Sequence, residues 1–465
     1  MKSLTQKLQG VKFYNIMKNM RVFLLLCLIF WGVNVSYAYD LILPKEKKSI
    51  VSTKYAFFVG KANKSEVITI NDEKVYIAPN GAFAHSVKLK DGENRVLFKS
   101  NYNTQIYRFY KEKVESAIKP DLVEFDSKVY SVKKDNTPLR VTPIDYGMNR
   151  ISHLFKDTKL IINGQKGQFY RVFLSKNKEA WIDKDSVVEY KESINPNFIT
   201  MNSQTFKNAS KHTIEFTEKL PYTIEESDSE IMFKIYNPFI SEDSVYTVNI
   251  RKPDKYTYET HLHNGVYLFK VCELPKSETQ SLDGLNIIVD AGHGGNEKGA
   301  IGCLGDKEKD INLKIAEELR NNLCLMGANV IMTRECDANV SLDDRVKIAK
   351  ENCSNIFVSI HLNSIPDIEM NVNKHKGTSV YYYNKNSKLL AQTIKDSVVN
   401  SLGTRNDGVK TASFAVLRPT DYIGVLVEVA YMTNPNDSVL YTKEDFPSQT
   451  AKAIAEGILQ YVLCD

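Results

Sequence analysis

The apolar residues of this chain change their spacing once, near Gly284, and that change limits what its two parts can fold into. Before it, they come in short runs or two-residue alternations between turn residues. Examples are Tyr55-Ala-Phe-Phe-Val59, Phe169-Tyr-Arg-Val-Phe-Leu174, Ile231-Met-Phe-Lys-Ile-Tyr236 and Val266-Tyr-Leu-Phe-Lys-Val271. Segments of this kind make strands. After it, strand-like runs alternate with helical spacing: Ile287 to Val289 is followed by Ile311, Ile315, Leu319 and Leu323, four apart. That alternation predicts a mainly parallel sheet with helices on both faces. The expectation is a multidomain chain, β-rich N-terminal modules followed by an α/β domain that carries the chemistry.

Turn residues and composition divide the chain further. Residues 1–38 read as a secretory signal: Lys12, Lys18 and Arg21 precede the apolar run from Val22, and Ser36-Tyr37-Ala38 supplies a small-x-small site. Met17 or Met20 would shorten its positive segment. Export to the periplasm or cell wall follows from this reading. Residues 41–115 hold short strands with turns at Asn71-Asp72, Asn80-Gly81 and Asp91-Gly92. They resemble immunoglobulin-like sandwich modules of secreted bacterial enzymes. Residues 120–192 are expected to form a small β-barrel, with turns at Asn163-Gly164 and Lys166-Gly167. Residues 200–274 are expected to be a third β-rich module, a targeting domain. Pro275 to Asp283 is polar and reads as a linker to the domain at 284–465.

Charge and cysteines exclude some classes. A formal charge of +5 without a basic stripe argues against a nucleic-acid binder. The seven cysteines include no Cys-x-x-Cys pair, so neither a zinc finger nor a disulfide scaffold is indicated. His261 and His263 would share one strand face. They lack a third ligand in the sequence. Trp181 and the many tyrosines offer wall-glycan contacts, although a β-core explains most of them.

Chemistry concentrates after Gly284. His293 follows the strand Ile287 to Val289 among Gly292, Gly294 and Gly295. His361 follows the strand Asn355 to Ile360, and Glu308 stands near the start of the first helix. Parallel strands deliver their carboxyl ends to one edge of a sheet, where ligands bind in open α/β folds. Two His and one Glu are a ligand set of catalytic zinc. Each residue alone has a plainer reading, a structural His at a strand end or a helix N-terminal charge. Glu428 interrupts the apolar run Val425 to Tyr431, where an unpartnered carboxylate is costly. A metal-bound water is a suitable partner; a buried salt bridge or a hydrogen-bonded helix cap is the alternative reading.

The blocks Val289-Asp-Ala-Gly-His-Gly-Gly295, Glu308-Lys-Asp-Ile-Asn-Leu313, Thr333-Arg334, Leu342 to Arg345, Phe357-Val-Ser-Ile-His-Leu-Asn363 and Leu426-Val-Glu-Val-Ala-Tyr-Met-Thr-Asn434 stand in one order. In this the segment Gly284 to Tyr461 resembles the catalytic domain of zinc-dependent N-acetylmuramoyl-L-alanine amidases. The resemblance implies that His293, Glu308 and His361 bind Zn2+. It implies that Glu428 is the catalytic base, and that the substrate is peptidoglycan. Ala291 stands where Pro is common, and Val429-Ala430 replaces a small-residue-Gly pair. Asp290 is a candidate to orient a ligand His, or a strand-end cap. Arg334 and Arg345 are candidates for stem-peptide carboxylates, or supports of the fold. Some relatives insert an autoinhibitory helix after the second His block. Ser364 to Lys376 is polar, contains Pro366 and has no amphipathic pattern, so no such helix is expected. The alternatives are a zinc carboxypeptidase of related fold and a non-catalytic wall-binding protein.

Overall fold

The computed structural model describes residues 39–113, 120–275, 280–365, 372 and 374–464. The expected signal, residues 1–38, lies outside them, as do residues 276–279 of the linker and most of the stretch between 364 and 376. No helix among the described residues is long and apolar enough to cross a membrane.

The described residues of 39–274 contain strands with only two single-turn helices. Tyr55–Ala62 pairs antiparallel with Ala82–Lys88. A facing five-stranded sheet includes Gly92–Lys99 and Thr104–Lys111. Phe58 from the first sheet meets Phe98, Tyr107 and Phe109 of the second, which closes a sandwich core. Thr69–Ile70 and Glu73–Lys74 form a hairpin across Asn71 and Asp72, both at positive φ (49° and 65°), as a two-residue hairpin turn requires.

Residues 122–189 form one seven-stranded sheet whose pairings are all antiparallel. Asn163-Gly164 is not a turn. It lies inside the strand Lys159–Lys166, where the register shifts between Ile162 and Gly164. A glycine inside a strand marks such a bulge. Residues 198–273 add sheets of four and three strands. Their core, with Phe233 stacked on Phe269 at 4.9 Å, is continuous with that of residues 130–187.

Among the described residues the C-terminal domain has six strands and five α-helices. We label the strands β1 (Asn286–Ala291), β2 (Asn329–Met332), β3 (Ile356–Asn363), β4 (Thr378–Tyr382), β5 (Asn406–Thr411) and β6 (Ile423–Tyr431). The helices are α1 (Glu308–Leu325), α2 (Leu342–Glu351), α3 (Lys388–Leu402), α4 (Pro435–Tyr441) and α5 (Phe446–Leu463). The sheet order is β2-β1-β3-β6-β4-β5. Helices α1, α3 and α5 cover one face, packing on Ile287, Val289, Val358 and Val427. Helix α2 and a short turn at Val416-Leu417 cover the other, over Ile288, Phe357 and Leu426. Burial on both faces is why these strands read as continuous apolar runs.

The sheet is mainly parallel, as expected, but mixed: four of its five pairings are parallel and one is antiparallel. Strands β1, β2, β3 and β6 run one way, while β4 pairs antiparallel with β6 and carries β5 with it. A parallel return needs a long crossover, usually a helix. The sequence between β3 and β4 has no helical pattern, and the chain re-enters the sheet reversed. The domain also begins earlier than Gly284, since Leu274 and Leu282 are buried in its core.

Candidate metal centre

Strand β1 ends at Ala291, and the chain turns through Gly292, His293, Gly294 and Gly295. His293 itself has φ +60°, a left-handed conformation uncommon outside glycine. Two arginines hold the turn. Arg334 donates from Nε to the Ala291 carbonyl at 2.9 Å and from Nη2 to that of Gly292 at 3.0 Å. Arg345 donates from Nη1 to Ala291 at 2.9 Å and from Nη2 to the His293 carbonyl at 2.8 Å. Three successive carbonyls are thus clamped by planar cations, which over-determines a strained backbone. Both guanidinium groups are buried. They support the fold, and are not placed to meet a substrate carboxylate.

Asp290 completes this support and touches no candidate ligand His. Its Oδ2 accepts from Ser359 Oγ at 2.6 Å, and its Oδ1 accepts from Thr333 Oγ1 at 2.6 Å and from Arg345.

Helix α1 starts at Glu308, so its first side chain points back to the end of β1. Glu308 Oε2 lies 3.2 Å from His293 Nε2, and Glu308 Oε1 accepts from His361 Nδ1 at 2.9 Å. The backbone N–H groups of Ala300 and Leu362 donate to the same carboxylate at 2.8 and 3.2 Å. One nitrogen of each His and one Glu308 oxygen fall within 4.8 Å of one another. Among the described residues this is the only such group; His261 and His263 do not form one. Glycines make the space: a Cβ on Gly292 would sit 2.3 Å from the His361 ring, and one on Gly299 would sit 2.5 Å from Glu308 Oε2. Burial pushes the Glu308 carboxyl up, but the His293 and His361 hydrogen bonds and charges outweigh it and hold it well below the usual carboxylate range. Burial lowers His361, and the same bond to Glu308 reverses the sign and raises it.

Glu428 lies beside this group. Its Cα pairs with that of His361 across β3 and β6, so both side chains leave the sheet on one face at one level. Its Oε2 is buried without a hydrogen-bond partner. Burial pushes its carboxyl up to about 7; His361 and Lys410 oppose the rise, and Glu308 adds to it.

Two further residues of the site carried no individual sign in the sequence. Asn312, one turn after Glu308, donates from Nδ2 to Glu308 Oε1 and to the Gly292 carbonyl, both at 3.3 Å. The i, i+4 spacing on a helix was the available signal. Ser379 on β4 is the cross-strand partner of Glu428, and its buried Oγ has no partner.

A family model described as N-acetylmuramoyl-L-alanine amidase matches residues 287–460. The uncharacterised protein YqiI of Bacillus subtilis is 37% identical over 186 residues, 39% of this chain and 87% of that protein. The chain belongs to the N-acetylmuramoyl-L-alanine amidase family. The amidase LytC of Bacillus subtilis is 36% identical over 182 residues, 38% of this chain. Those residues span only 36% of LytC. The solved amidase AmiC2 of Nostoc punctiforme is 35% identical, with 38% of this chain and 98% of that chain covered and a TM-score of 0.37. All three likenesses cover less than half of this chain, and the β-rich residues before 287 lie outside the family match.

Proposed function

We propose that this amidase domain hydrolyses the amide between the lactyl group of N-acetylmuramic acid and L-alanine in peptidoglycan, with zinc held by His293, Glu308 and His361 and with Glu428 as general base. The observation that carries this reading is the pairing of His361 with Glu428, which sets an unpartnered buried carboxylate beside a convergent two-His, one-carboxylate donor set. That donor set fits catalytic zinc, whose sites keep a position open for water. The buried Glu308, and the close packing of His361 and Glu308 that Gly292 and Gly299 permit, fit a preformed cation site.

Bound zinc supplies Lewis acidity and lowers the pKa of water toward ~7. Every other role falls to the chain. Glu428 accepts the proton of the attacking water and delivers it to the departing nitrogen of L-alanine. A carboxyl that burial pushes up to about 7 suits a group that must both take and give a proton. A cation held nearby draws that value down, toward the ionised form a base requires. Asn312 steadies Glu308 from the next turn of α1. Arg334 and Arg345 fix the direction of His293 through its backbone.

The reading includes export by residues 1–38 and action in the periplasm or cell wall. The modules at 41–115, 120–192 and 200–274 then face the wall, with the amidase domain at 284–465. Digestion of muropeptides with added zinc, and again with a chelator, tests it. Release of whole stem peptides only with zinc is expected. Release of single terminal amino acids instead would assign a carboxypeptidase. Glu428→Gln is expected to lower kcat by about a hundredfold or more while zinc content stays at the wild-type level. A fully active Glu428→Gln would remove Glu428 from this role. Activity of the purified chain without any added protein is expected, since no autoinhibitory helix is expected after His361.

A further inference from the structure

The seam between the β-rich region and the amidase domain carries unbalanced charge. Arg140, Arg150 and His153 lie on one side, Arg418 and Tyr383 on the other. The two sides are in close contact. Tyr383 Oη donates to the Gly147 carbonyl at 3.5 Å. A Cβ on Gly147 would lie 2.4 Å from that of Ser413, so only glycine lets the chains approach this closely. Arg418 is anchored to the same Ser413, donating to its Oγ at 2.9 Å and to its carbonyl at 2.7 Å. On the β-rich side, Arg150 Nη1 lies 3.5 Å from His153 Nε2. The three guanidinium groups act on shared neighbours. Burial and then the charges of Arg418 and Arg140 lower the proton affinity of Arg150. Burial and the three arginines push His153 down to about 4, so its imidazole is neutral at physiological pH.

One carboxylate answers these cations. Asp145 Oδ1 lies 2.7 Å from Arg140 Nη2, with its side chain 79% exposed. Three cations less one anion leave two positive charges. Among the described residues no acid lies within ion-pair distance of Arg150 or Arg418. The Nε atoms of Arg140 and Arg150 are buried without any hydrogen-bond partner, and Arg140 as a whole is 6% exposed. A buried donor left unmade costs about 1–3 kcal/mol, more on a charged group. Like charges held together at a seam add to that cost.

We propose that this seam is a binding site for a phosphate group, held as a dianion by Arg150, Arg418 and Arg140 with the Tyr383 hydroxyl beside them. The charge count decides the class. A carboxylate would leave one positive charge unanswered, whereas a phosphate carries about −1.5 to −2 near neutrality. The planar guanidinium fork also matches phosphate oxygens in pairs. The group is either free phosphate or a phosphomonoester on a larger molecule. Its binding ties the β-rich region to the amidase domain, because its ligands come from both.

Calorimetric titration of the full-length, zinc-loaded protein tests the site, with inorganic phosphate, a sugar phosphomonoester and acetate as probes at matched ionic strength. Phosphate or the monoester is expected to bind and acetate is not. The tighter of the two identifies the source. Arg150→Gln and Arg418→Gln are each expected to weaken binding about tenfold or more, with zinc content and circular dichroism unchanged. Arg150→Lys keeps the charge but not the fork, and is expected to fall between Arg150→Gln and the wild type. Equal response to acetate, no response to either phosphate probe, or binding that survives both glutamine variants would overturn the assignment. The last of these would place the anion elsewhere, the zinc included.

Discussion

Asp290 and Arg345 form a pair whose side chains are 2% and 4% exposed. Removing one partner from a buried pair leaves the other charged and alone, which costs more than the pair itself contributes. Arg345→Met is therefore expected to lower unfolding free energy by about 3–5 kcal/mol, read from urea denaturation. A loss below 1 kcal/mol would mean that the pair behaves like a surface one. The sequence made some residues of the site legible and not others, for a physical reason. His293, Glu308 and His361 each stand at the end or start of an element, where periodicity itself points. Glu428 breaks an apolar run and so announces itself. Asp290 stood at a strand end and invited a role toward a neighbouring His. Its actual partners, Thr333, Arg345 and Ser359, lie 43, 55 and 69 residues away, and no local pattern shows them. Ser379 gave no sign for the same reason, because its position is defined only by pairing with Glu428.

At the level of elements, the helices after Gly284 followed from spacing and caps. Ser341 caps α2 by accepting from the Asp344 N–H at 3.1 Å, as the Ser-x-x-Asp spacing indicated. Ser341→Ala is expected to cost about 1 kcal/mol in thermal unfolding while zinc stoichiometry stays at wild type. A change in zinc content would mean that the cap also positions Arg345, which lies in the first turn of α2. Two elements had no legible sign. Strand β5 reads Asn-Asp-Gly-Val-Lys-Thr and is too polar to stand out. Helix α4 is short, although Asn434 before Pro435 is a start signal: Asn434 Oδ1 accepts from the Asn436 N–H at 2.9 Å. The direction of β4 was also hidden. Hydrophobic patterning assigns a strand to a sheet but does not say which way it runs.

The whole molecule is joined by more than its chain. Val59, Ala78, Ala82 and Ala84 of the first sandwich share an apolar cluster with Cys303 and Val372 of the amidase domain. Asn80 Nδ2 adds a hydrogen bond to Ser438 Oγ at 3.0 Å. Ala82 is fully buried. Ala82→Arg is expected to lower the unfolding temperature and to make residues 39–113 more susceptible to limited proteolysis. An unchanged digestion pattern would show that this contact does not hold the sandwich in place. The seam at His153 predicts a pH effect of definite sign. Its folded pKa, about 4, lies below the ordinary histidine value of 6.5. Between the two the unfolded chain binds more protons, so the stability His153 contributes is complete above 6.5 and is lost as pH falls toward 4. The groups facing it, Arg150, Arg418 and Arg140, do not titrate in that range. His153→Gln is expected to flatten the fall in unfolding temperature across this window, and an equally steep fall in the variant would assign the effect to other groups. The clamp on the His293 turn, finally, has a consequence in time. Both arginines that hold that turn are made after it, Arg345 fifty-two residues later, and the strand bearing Glu428 is made later still. A growing or clipped chain therefore carries His293 in a turn that its two arginines do not yet hold, and the candidate centre is assembled backwards from the far end of the domain.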